Sequence, residues 1–320
     1  MPLLFEIRHS RLGRMLFTVL AVIVVGLAGY YVSTKLITSL RQVAEIHLII
    51  KPVPVVFSLF ITLFCVFLGG LIWNLILRSL GILAGFRENL RTYLLANLAS
   101  YIPGYGWQYL GKAYLAARQG ISPILAGSAV LTEFLCSALT RLTVSLSFFS
   151  VGLWHQITGF ESDAGLWLLR LAAWLGVISL PWILNYAQRS KLGTFLKITQ
   201  PVSVRLLWLA EVMMCLGWII YGLGFAVLLR SMTYIPLDTL SPVIFSTTSS
   251  YLVSLLIFFV PAGIGVREGV LIYTLSGVLP EVAVSLSSVL SRIVVIIAEL
   301  LGVLLGLFLR GLRFVGKRPL

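Results

Sequence analysis

Two helix-breaking turns decide how this chain folds: Pro103-Gly104-Tyr105-Gly106 and Pro261-Ala262-Gly263-Ile264-Gly265, each set inside otherwise apolar sequence. Each turn is followed by a Gly-x-x-Pro step, at 120–123 and at 277–280, and then by a long apolar segment. The turn proline and the step proline are 20 positions apart in the first case and 19 in the second. Broken helices at matching positions of two halves indicate the binding site of a transporter.

The composition is that of a polytopic membrane protein. Hydrophobic residues make up 59% of the 320 residues and charged residues 11%. Because a spanning helix needs about 20 apolar residues, the length allows roughly six to eight spans and no soluble domain. We therefore expect a single transmembrane domain over residues 1–320.

No catalytic or cofactor-binding pattern stands out, and we expect that the protein is not an enzyme. The sequence shows no Ser-His-Asp arrangement and no cluster of metal-ligand residues. Residues 106–112 carry the glycines and the lysine of a phosphate-binding loop, but Ala113 stands where Ser or Thr would hold magnesium. We predict no nucleotide site, no metal and no cofactor.

The basic residues predict the orientation in the membrane. The net charge is +13, and the Lys and Arg residues cluster in loops and tails, which is typical of cytoplasmic segments rather than of nucleic-acid binding. The amino terminus, the loop 189–205 and the carboxyl terminus are basic, whereas the loop after Trp154 carries only Glu161 and Asp163. Both termini are therefore predicted to be cytoplasmic and that loop external.

These anchors predict an all-α polytopic fold with about six spanning helices. The spans are expected at 15–34, 53–77, 123–150, 165–185, 204–230 and 283–309. The broken stretches at 89–120 and 241–279 are each predicted to be re-entrant helical hairpins, since full crossings would put the charged loops on the wrong sides. The first hairpin then enters from the cytoplasm and the second from outside, so residues 53–150 and 204–309 form an inverted repeat.

The two turns predict a polar cavity. Irregular backbone at membrane depth is tolerated only where it is buried in protein or lines a wet cavity. Half-helix amino termini there attract an anionic oxygen, and Arg267 is the leading candidate for holding a headgroup phosphate. A structural ion pair, or a position in an interfacial loop, is the alternative role for Arg267. The adjacent Glu268 belongs to the same predicted site.

Two more pairs of charges lie on the long helices. Glu133 and Arg141 are eight positions apart, and Arg292 and Glu299 are seven apart, so each pair lies on roughly one helix face. Two turns are too long for direct contact, and we expect partners from other helices. Interhelical pairing and a proton- or headgroup-handling role are both open for these residues.

Aromatic residues surround the first turn, among them Tyr105, Trp107, Tyr109 and Tyr114. Interfacial anchoring and a route for a lipid headgroup are the alternatives for them. On the last helix Ala298, Gly302 and Gly306 form a small-residue stripe. It predicts packing within the chain, with a homodimer as the alternative.

The residues also carry a family resemblance. The stretches 97–106, 118–120 and 261–269, together with Glu133, resemble the lysylphosphatidylglycerol synthase transmembrane family of flippase-like membrane proteins. The resemblance covers about residues 50–310, and the Pro-Ala-Gly-x-Gly-Val-Arg-Glu signature is its most specific part. It implies translocation of a lipid headgroup between leaflets of a prokaryotic inner membrane. The aminoacyl-transferring domain of the multiple peptide resistance factor is absent here, so synthase activity is not expected.

The leading hypothesis is a flippase for an anionic phospholipid or a polyprenyl-phosphate-linked headgroup. The predicted substrate-binding residues are Pro103, Gly104, Tyr105, Gly106, Gln108, Lys112, Glu133, Arg141, Pro261, Gly263, Gly265, Arg267, Glu268, Arg292 and Glu299. A proton-coupled small-solute permease is the first alternative. A non-transporting subunit that supports a lipid-modifying enzyme or glycosyltransferase is the second.

Overall fold

The structure is a computed structural model that describes residues 50–101, 106–159, 161–189, 202–257, 263 and 265–311. Within these residues it is helical and contains no strand. The helices are α1 Pro52–Ser79, α2 Phe86–Asn97, α3 Trp107–Ala117, α4 Pro123–Phe148, α5 Val151–Thr158, α6 Ala164–Arg189, α7 Val204–Leu229, α8 Leu240–Leu256, α9 Val266–Leu275 and α10 Glu281–Gly311. Short 3-10 turns lie at Leu98–Tyr101 and Leu237–Thr239.

Proline, glycine and serine set the helix ends. The α4 helix begins with Pro123 in its first turn, and the Ser122 side chain accepts a hydrogen bond from the Leu125 amide at 3.3 Å. The preceding Gly120 has a φ of 91°, a left-handed conformation that ends the turn after α3. The sequence therefore forces a sharp change of direction between the two helices.

Six segments are long and apolar enough to cross a membrane. Five of them, α1, α4, α6, α7 and α10, match predicted spans, and the predicted span at 15–34 lies outside the described residues. The sixth segment, Leu237–Leu256, is the first limb of the broken stretch predicted at 241–279. The α2, α3 and α9 helices have 12, 11 and 10 residues. Their length of roughly 15–18 Å is about half of the bilayer core.

The α1 and α7 helices form an antiparallel central pair. At one end the Lys51 amide donates to the Ser231 carbonyl at 2.9 Å, and at the other the Ser203 amide donates to the Ser79 carbonyl at 2.8 Å. Around this pair, α2 packs on α10 and α8 packs on α4, while α3 contacts α4 and α9 contacts α10. Large apolar side chains on the outer faces of the spans are exposed, as expected for surfaces that meet lipid.

The small-residue stripe on α10 packs against the same chain. Ala298 is fully buried. A Cβ at Gly302 would lie 3.1 Å from Leu94 and 3.3 Å from Val66, and a Cβ at Gly306 would lie 3.4 Å from Leu94. The glycines therefore let α10 approach α2 and α1 closely, which confirms the predicted packing within the chain.

Candidate functional site

A cavity of about 620 Å³ in the described structure is lined by residues of α1 to α4 and of α7 to α10. It has the size of a typical small-molecule pocket. Nine of the predicted site residues line it: Gln108, Lys112, Glu133, Arg141, Gly265, Arg267, Glu268, Arg292 and Glu299. Gly263 contributes a carbonyl beside the cavity, whereas Gly106 is exposed at the start of α3. Pro103, Gly104, Tyr105 and Pro261 lie outside the described residues.

The cavity combines apolar walls with an unusual density of charge. Four cationic and three acidic side chains line it, next to residues such as Val66, Leu68 and Ile296. Charged side chains are rare inside membrane proteins because burying an unpaired charge is costly, so such clusters mark substrate or ion pathways. The cationic excess favours an anionic ligand.

One end of the cavity is built around a buried ion pair between α3 and α4. The Lys112 Nζ donates to Glu133 Oε1 at 2.5 Å, and both side chains are buried. The rings of Tyr93, Tyr109 and Trp73 surround the ammonium at 4.5, 5.5 and 5.7 Å. This packing stabilises the charge by cation–π interaction and leaves Lys112 little freedom.

Tyr93 on α2 fills the space that Gly69 leaves open on α1. A Cβ at position 69 would lie 2.1 Å from the Tyr93 hydroxyl oxygen. The Tyr93 side chain also lines the cavity, so the close approach of α1 and α2 at Gly69 shapes its wall.

A second ion pair at the cavity joins α9 and α10. The Arg292 Nε donates to Glu268 Oε1, and Arg292 Nη2 donates to Glu268 Oε2 at 3.3 Å and to the Gly263 carbonyl at 2.7 Å. The Gly265 amide donates to Glu268 Oε2 at 2.8 Å. Glu268 thus caps the amino terminus of α9, and Arg292 ties the described part of the second turn to α10.

Both described glycines of the second turn adopt conformations that other residues avoid. The φ of Gly263 is 63° and that of Gly265 is 81°. A Cβ at Gly263 would lie only 1.8 Å from the Ser254 Oγ. The turn sequence therefore needs glycine for both backbone conformation and space.

Arg267, the leading sequence candidate, stacks on an aromatic cluster formed by Trp218, Tyr221 and Tyr251. Its guanidinium lies 3.8 Å from the Tyr251 ring centroid, and its Nε donates to the Ser254 Oγ at 3.5 Å. The hydroxyls of Tyr221 and Tyr251 are 2.6 Å apart. Stacking fixes the plane of the guanidinium at the cavity wall.

Arg141 stacks on a different ring of the same aromatic cluster. Its guanidinium lies 4.7 Å from the Trp218 ring centroid, and the residue is 7% exposed. Its Nε and Nη1 have no hydrogen-bond partner among the described residues. A buried guanidinium with unpaired donors that faces a cavity is prepared to bind an anionic oxygen.

The expectation that the charges on the long helices take partners from other helices is confirmed for two of them. Glu133 on α4 pairs with Lys112 on α3, and Arg292 on α10 pairs with Glu268 on α9. The second carboxylate oxygen of Glu133 is buried without a partner among the described residues. Glu133 is thus ion-paired through one oxygen, whereas Nε and Nη1 of Arg141 on the same helix have no partner among the described residues.

The aromatic residues of the wall were not identified from the sequence. Tyr93, Trp218, Tyr221 and Tyr251 lie in separate helices, and membrane sequences carry Trp and Tyr mostly as interfacial anchors. The aromatic residues predicted around the first turn do not all lie at the cavity: Tyr109 lines it, whereas Trp107 and Tyr114 are exposed. The charged residues within apolar sequence indicated the site, and their spacing does not show which aromatic side chains lie beside them.

The described part of the chain offers no obvious metal centre. No group of three or more His, Cys, Asp or Glu side chains in the described ranges is arranged to hold a metal ion. The described lining of the cavity includes cations and aromatic rings, groups that bind anionic or cationic ligands.

Comparison with known proteins identifies a family. The family model for the lysylphosphatidylglycerol synthase TM region matches residues 18–306, which is most of the chain. No curated protein matches the sequence at a significant level. The match covers α1 to α9 and most of α10, including both ion pairs and the aromatic cluster. The chain is a multi-pass membrane protein that belongs to the lysylphosphatidylglycerol synthase transmembrane-region family.

Proposed function

We propose that this protein moves the headgroup of an anionic lipid between the two leaflets of a prokaryotic inner membrane. The observation that carries the proposal is Arg141, a buried cation that faces a charged cavity between membrane helices and has two nitrogens without a partner among the described residues. Leaving buried donors unpaired is costly unless a ligand completes them. A phosphate of a phospholipid or of a polyprenyl-phosphate carrier supplies the missing acceptors.

The two arginines on the aromatic cluster have different roles in binding the headgroup. Arg141 offers unpaired donors, and Arg267 presents a guanidinium whose plane is fixed by the Tyr251 ring. The headgroup occupies the cavity of about 620 Å³, while acyl or prenyl chains remain in lipid. Since the site binds and releases without making bonds, the protein acts as a translocase rather than an enzyme and uses no cofactor.

An inverted repeat explains how such a site can open to both sides. We infer that α1 to α4, within residues 53–150, correspond to α7 to α10, within 204–309. The reciprocal hydrogen bonds from Lys51 to Ser231 and from Ser203 to Ser79 support a two-fold relation through the antiparallel central pair. The helix contacts follow the same correspondence. The α2 helix packs on α10, and its counterpart α8 packs on α4, the counterpart of α10.

The charges of the two halves correspond with opposite sign. Each half has a buried ion pair between its short helix and its long helix, Lys112 with Glu133 and Glu268 with Arg292. Further along the long helices, Arg141 follows Pro123 by 18 positions and Glu299 follows Pro280 by 19. In this arrangement α2 with α3, and α8 with α9, are re-entrant hairpins from opposite faces, and both chain termini are cytoplasmic.

Reconstituted lipid exchange tests the proposal. Proteoliposomes with fluorescent phosphatidylglycerol in both leaflets are treated with an impermeant reductant that bleaches the outer leaflet. Wild-type protein should expose the inner-leaflet label, and Arg141→Gln and Arg267→Gln should slow exchange by about tenfold or more, the effect of losing one charge-assisted hydrogen bond. Arg230→Gln, at an exposed arginine after α7, is the matched control and should exchange normally.

Three outcomes contradict the proposal. Full exchange in Arg141→Gln would remove the role assigned to this residue. Absence of lipid exchange together with uptake of a small solute would favour the permease. Absence of both, with stimulation of a glycosyltransferase or another lipid-modifying enzyme, would favour the supporting subunit.

A further inference from the structure

Glu211 is a buried acidic residue that does not belong to the cavity. It lies on α7, one helical turn before the cavity residue Met214, and is 1% exposed. Among the described residues neither carboxylate oxygen meets a nitrogen or oxygen donor, and the Cys136 thiol is the neighbouring weak donor. A solitary carboxyl inside a membrane protein marks a candidate functional site.

The surroundings of Glu211 offer no compensating charge in the described structure. It is set among the core residues Leu207, Ala210 and Met214, and the ionisable groups that face it are the thiols of Cys136 on α4 and Cys215 on α7. None of the other ionisable residues on the helices packed against α7 pairs with it: Cys65 and Arg78 on α1, Glu133 and Arg141 on α4, Arg170, Tyr186 and Arg189 on α6, Tyr251 on α8, and Glu281, Arg292 and Glu299 on α10.

Burial without a cation favours the protonated acid at this position. A carboxylate that no cation compensates is far more costly to bury than the neutral carboxyl. Glu133 and Glu268 differ from it, since each accepts hydrogen bonds from a cation. Glu211 therefore differs from the two paired carboxylates in having no cation beside it among the described residues.

We propose that Glu211 is a proton-binding site linked to the lipid anion in the cavity, so that its proton stays bound while the headgroup is bound and leaves when the headgroup leaves. The proposal rests on the function proposed above. An ionised Glu211 one turn from the cavity repels an anion there, and a neutral one does not. By linkage, the anion favours protonation of Glu211 by the same factor by which the proton favours the anion.

Met214 connects the two sites, because it lines the cavity and lies one helical turn after Glu211 on α7. Its side chain lines the cavity, and the Thr140 hydroxyl contacts its sulfur at 3.9 Å. An unbranched thioether changes rotamer at low cost, so a small shift of α4 against α7 opens a route for water to Glu211. The proton then leaves to water on the side where the headgroup is released, without any bond rearrangement beyond that transfer.

Binding as a function of pH tests the linkage. The probe is a short-chain phosphatidylglycerol, whose phosphodiester keeps its charge between about pH 6 and about pH 10. The wild-type dissociation constant should rise at least several-fold across this range, and Glu211→Gln should abolish that rise. Glu211→Asp should retain it, and so should Glu161→Gln, a control at an exposed loop carboxylate. A wild-type pH dependence that persists in Glu211→Gln overturns the proposal, and so does a flat wild-type profile.

Infrared spectroscopy separates failure of this proposal from failure of the proposed function. Detergent-solubilised wild type at neutral pH should show a protonated-carboxyl band that is absent in Glu211→Gln and present in Glu161→Gln. This measurement needs no lipid movement. A band that survives in Glu211→Gln overturns the proton site even if lipid exchange is found. Loss of the band in Glu211→Gln, with no lipid exchange by the wild type, would contradict the translocase function but not the proton site.

Discussion

Gly263 shows how closely the second turn depends on one residue. Its φ of 63° costs about 1–2 kcal/mol for a residue with a Cβ, and that atom would also collide with the Ser254 Oγ. Gly263→Ala should therefore lower the melting temperature in detergent. Gly127→Ala, within α4 where the added Cβ meets open space, should leave it unchanged or raise it. Equal melting temperatures for the two variants would contradict the strained geometry.

Tyr251 joins the stacking and hydrogen-bonding parts of the site. Tyr251→Phe removes the 2.6 Å contact with Tyr221 but keeps a ring under Arg267, whereas Tyr251→Leu removes the ring. Because a desolvated cation–π contact contributes up to about 2 kcal/mol, Tyr251→Leu should slow lipid exchange by roughly tenfold or more and Tyr251→Phe by less. Exchange rates that fall equally in the two variants would show that the hydroxyl, not the ring, matters.

The sequence predicted the charges of the site better than its rings. Arg141 and Arg267 were found because a cation in apolar sequence is expensive and therefore conspicuous. The unpaired donors of Arg141 could not be foreseen, since its surroundings depend on Trp218, which lies 77 positions away on another helix. Arg267, ranked first from the sequence, shares the same aromatic cluster.

At the scale of elements, the Lys112–Glu133 pair fastens the short α3 helix to α4. Removing one partner of a buried pair leaves an uncompensated charge and costs about 3–5 kcal/mol. Lys112→Met and Glu133→Gln should each destabilise the protein strongly. The double variant should recover much of the loss, because no buried charge then remains.

A double-mutant cycle measured by thermal unfolding in detergent checks this expectation. The control is the exposed Arg230→Gln, which should leave the melting temperature near that of wild type. Additive losses in the double variant would mean that the two side chains contribute independently, and that α3 is held by other contacts.

Helix boundaries were largely predictable, because the length of an apolar run and the proline or glycine at its end are local properties. The α4 and α7 helices begin at the predicted residues 123 and 204. The broken stretches were harder, since α2 and α3 have mixed polarity and are held by tertiary contacts such as the Asn89–Asn74 hydrogen bond of 2.9 Å. Such contacts are invisible in a local window.

At the scale of the whole molecule, the hairpins make a prediction about sidedness. If α8 and α9 form a re-entrant hairpin, Tyr234 and Val278, on either side of that pair, lie on the same face of the membrane. If α8 spans fully, they lie on opposite faces. Tyr234→Cys and Val278→Cys should therefore react with an impermeant maleimide from the same, external side.

The first half provides the matched comparison. Leu83→Cys and Arg118→Cys, which flank α2 and α3, should both react from the cytoplasmic side. A background without Cys65, Cys136 and Cys215 removes the native thiols. Labelling of either pair from opposite sides would contradict the inverted repeat.

The central claim is that a lipid phosphate occupies the cavity. Cryo-electron microscopy of the protein in phosphatidylglycerol nanodiscs tests this most directly. It should show headgroup density with a phosphate oxygen about 3 Å from Nε or Nη1 of Arg141, the distance of a hydrogen bond. A well-resolved cavity without lipid density, with phosphates only at the level of the bilayer surface, would contradict the account.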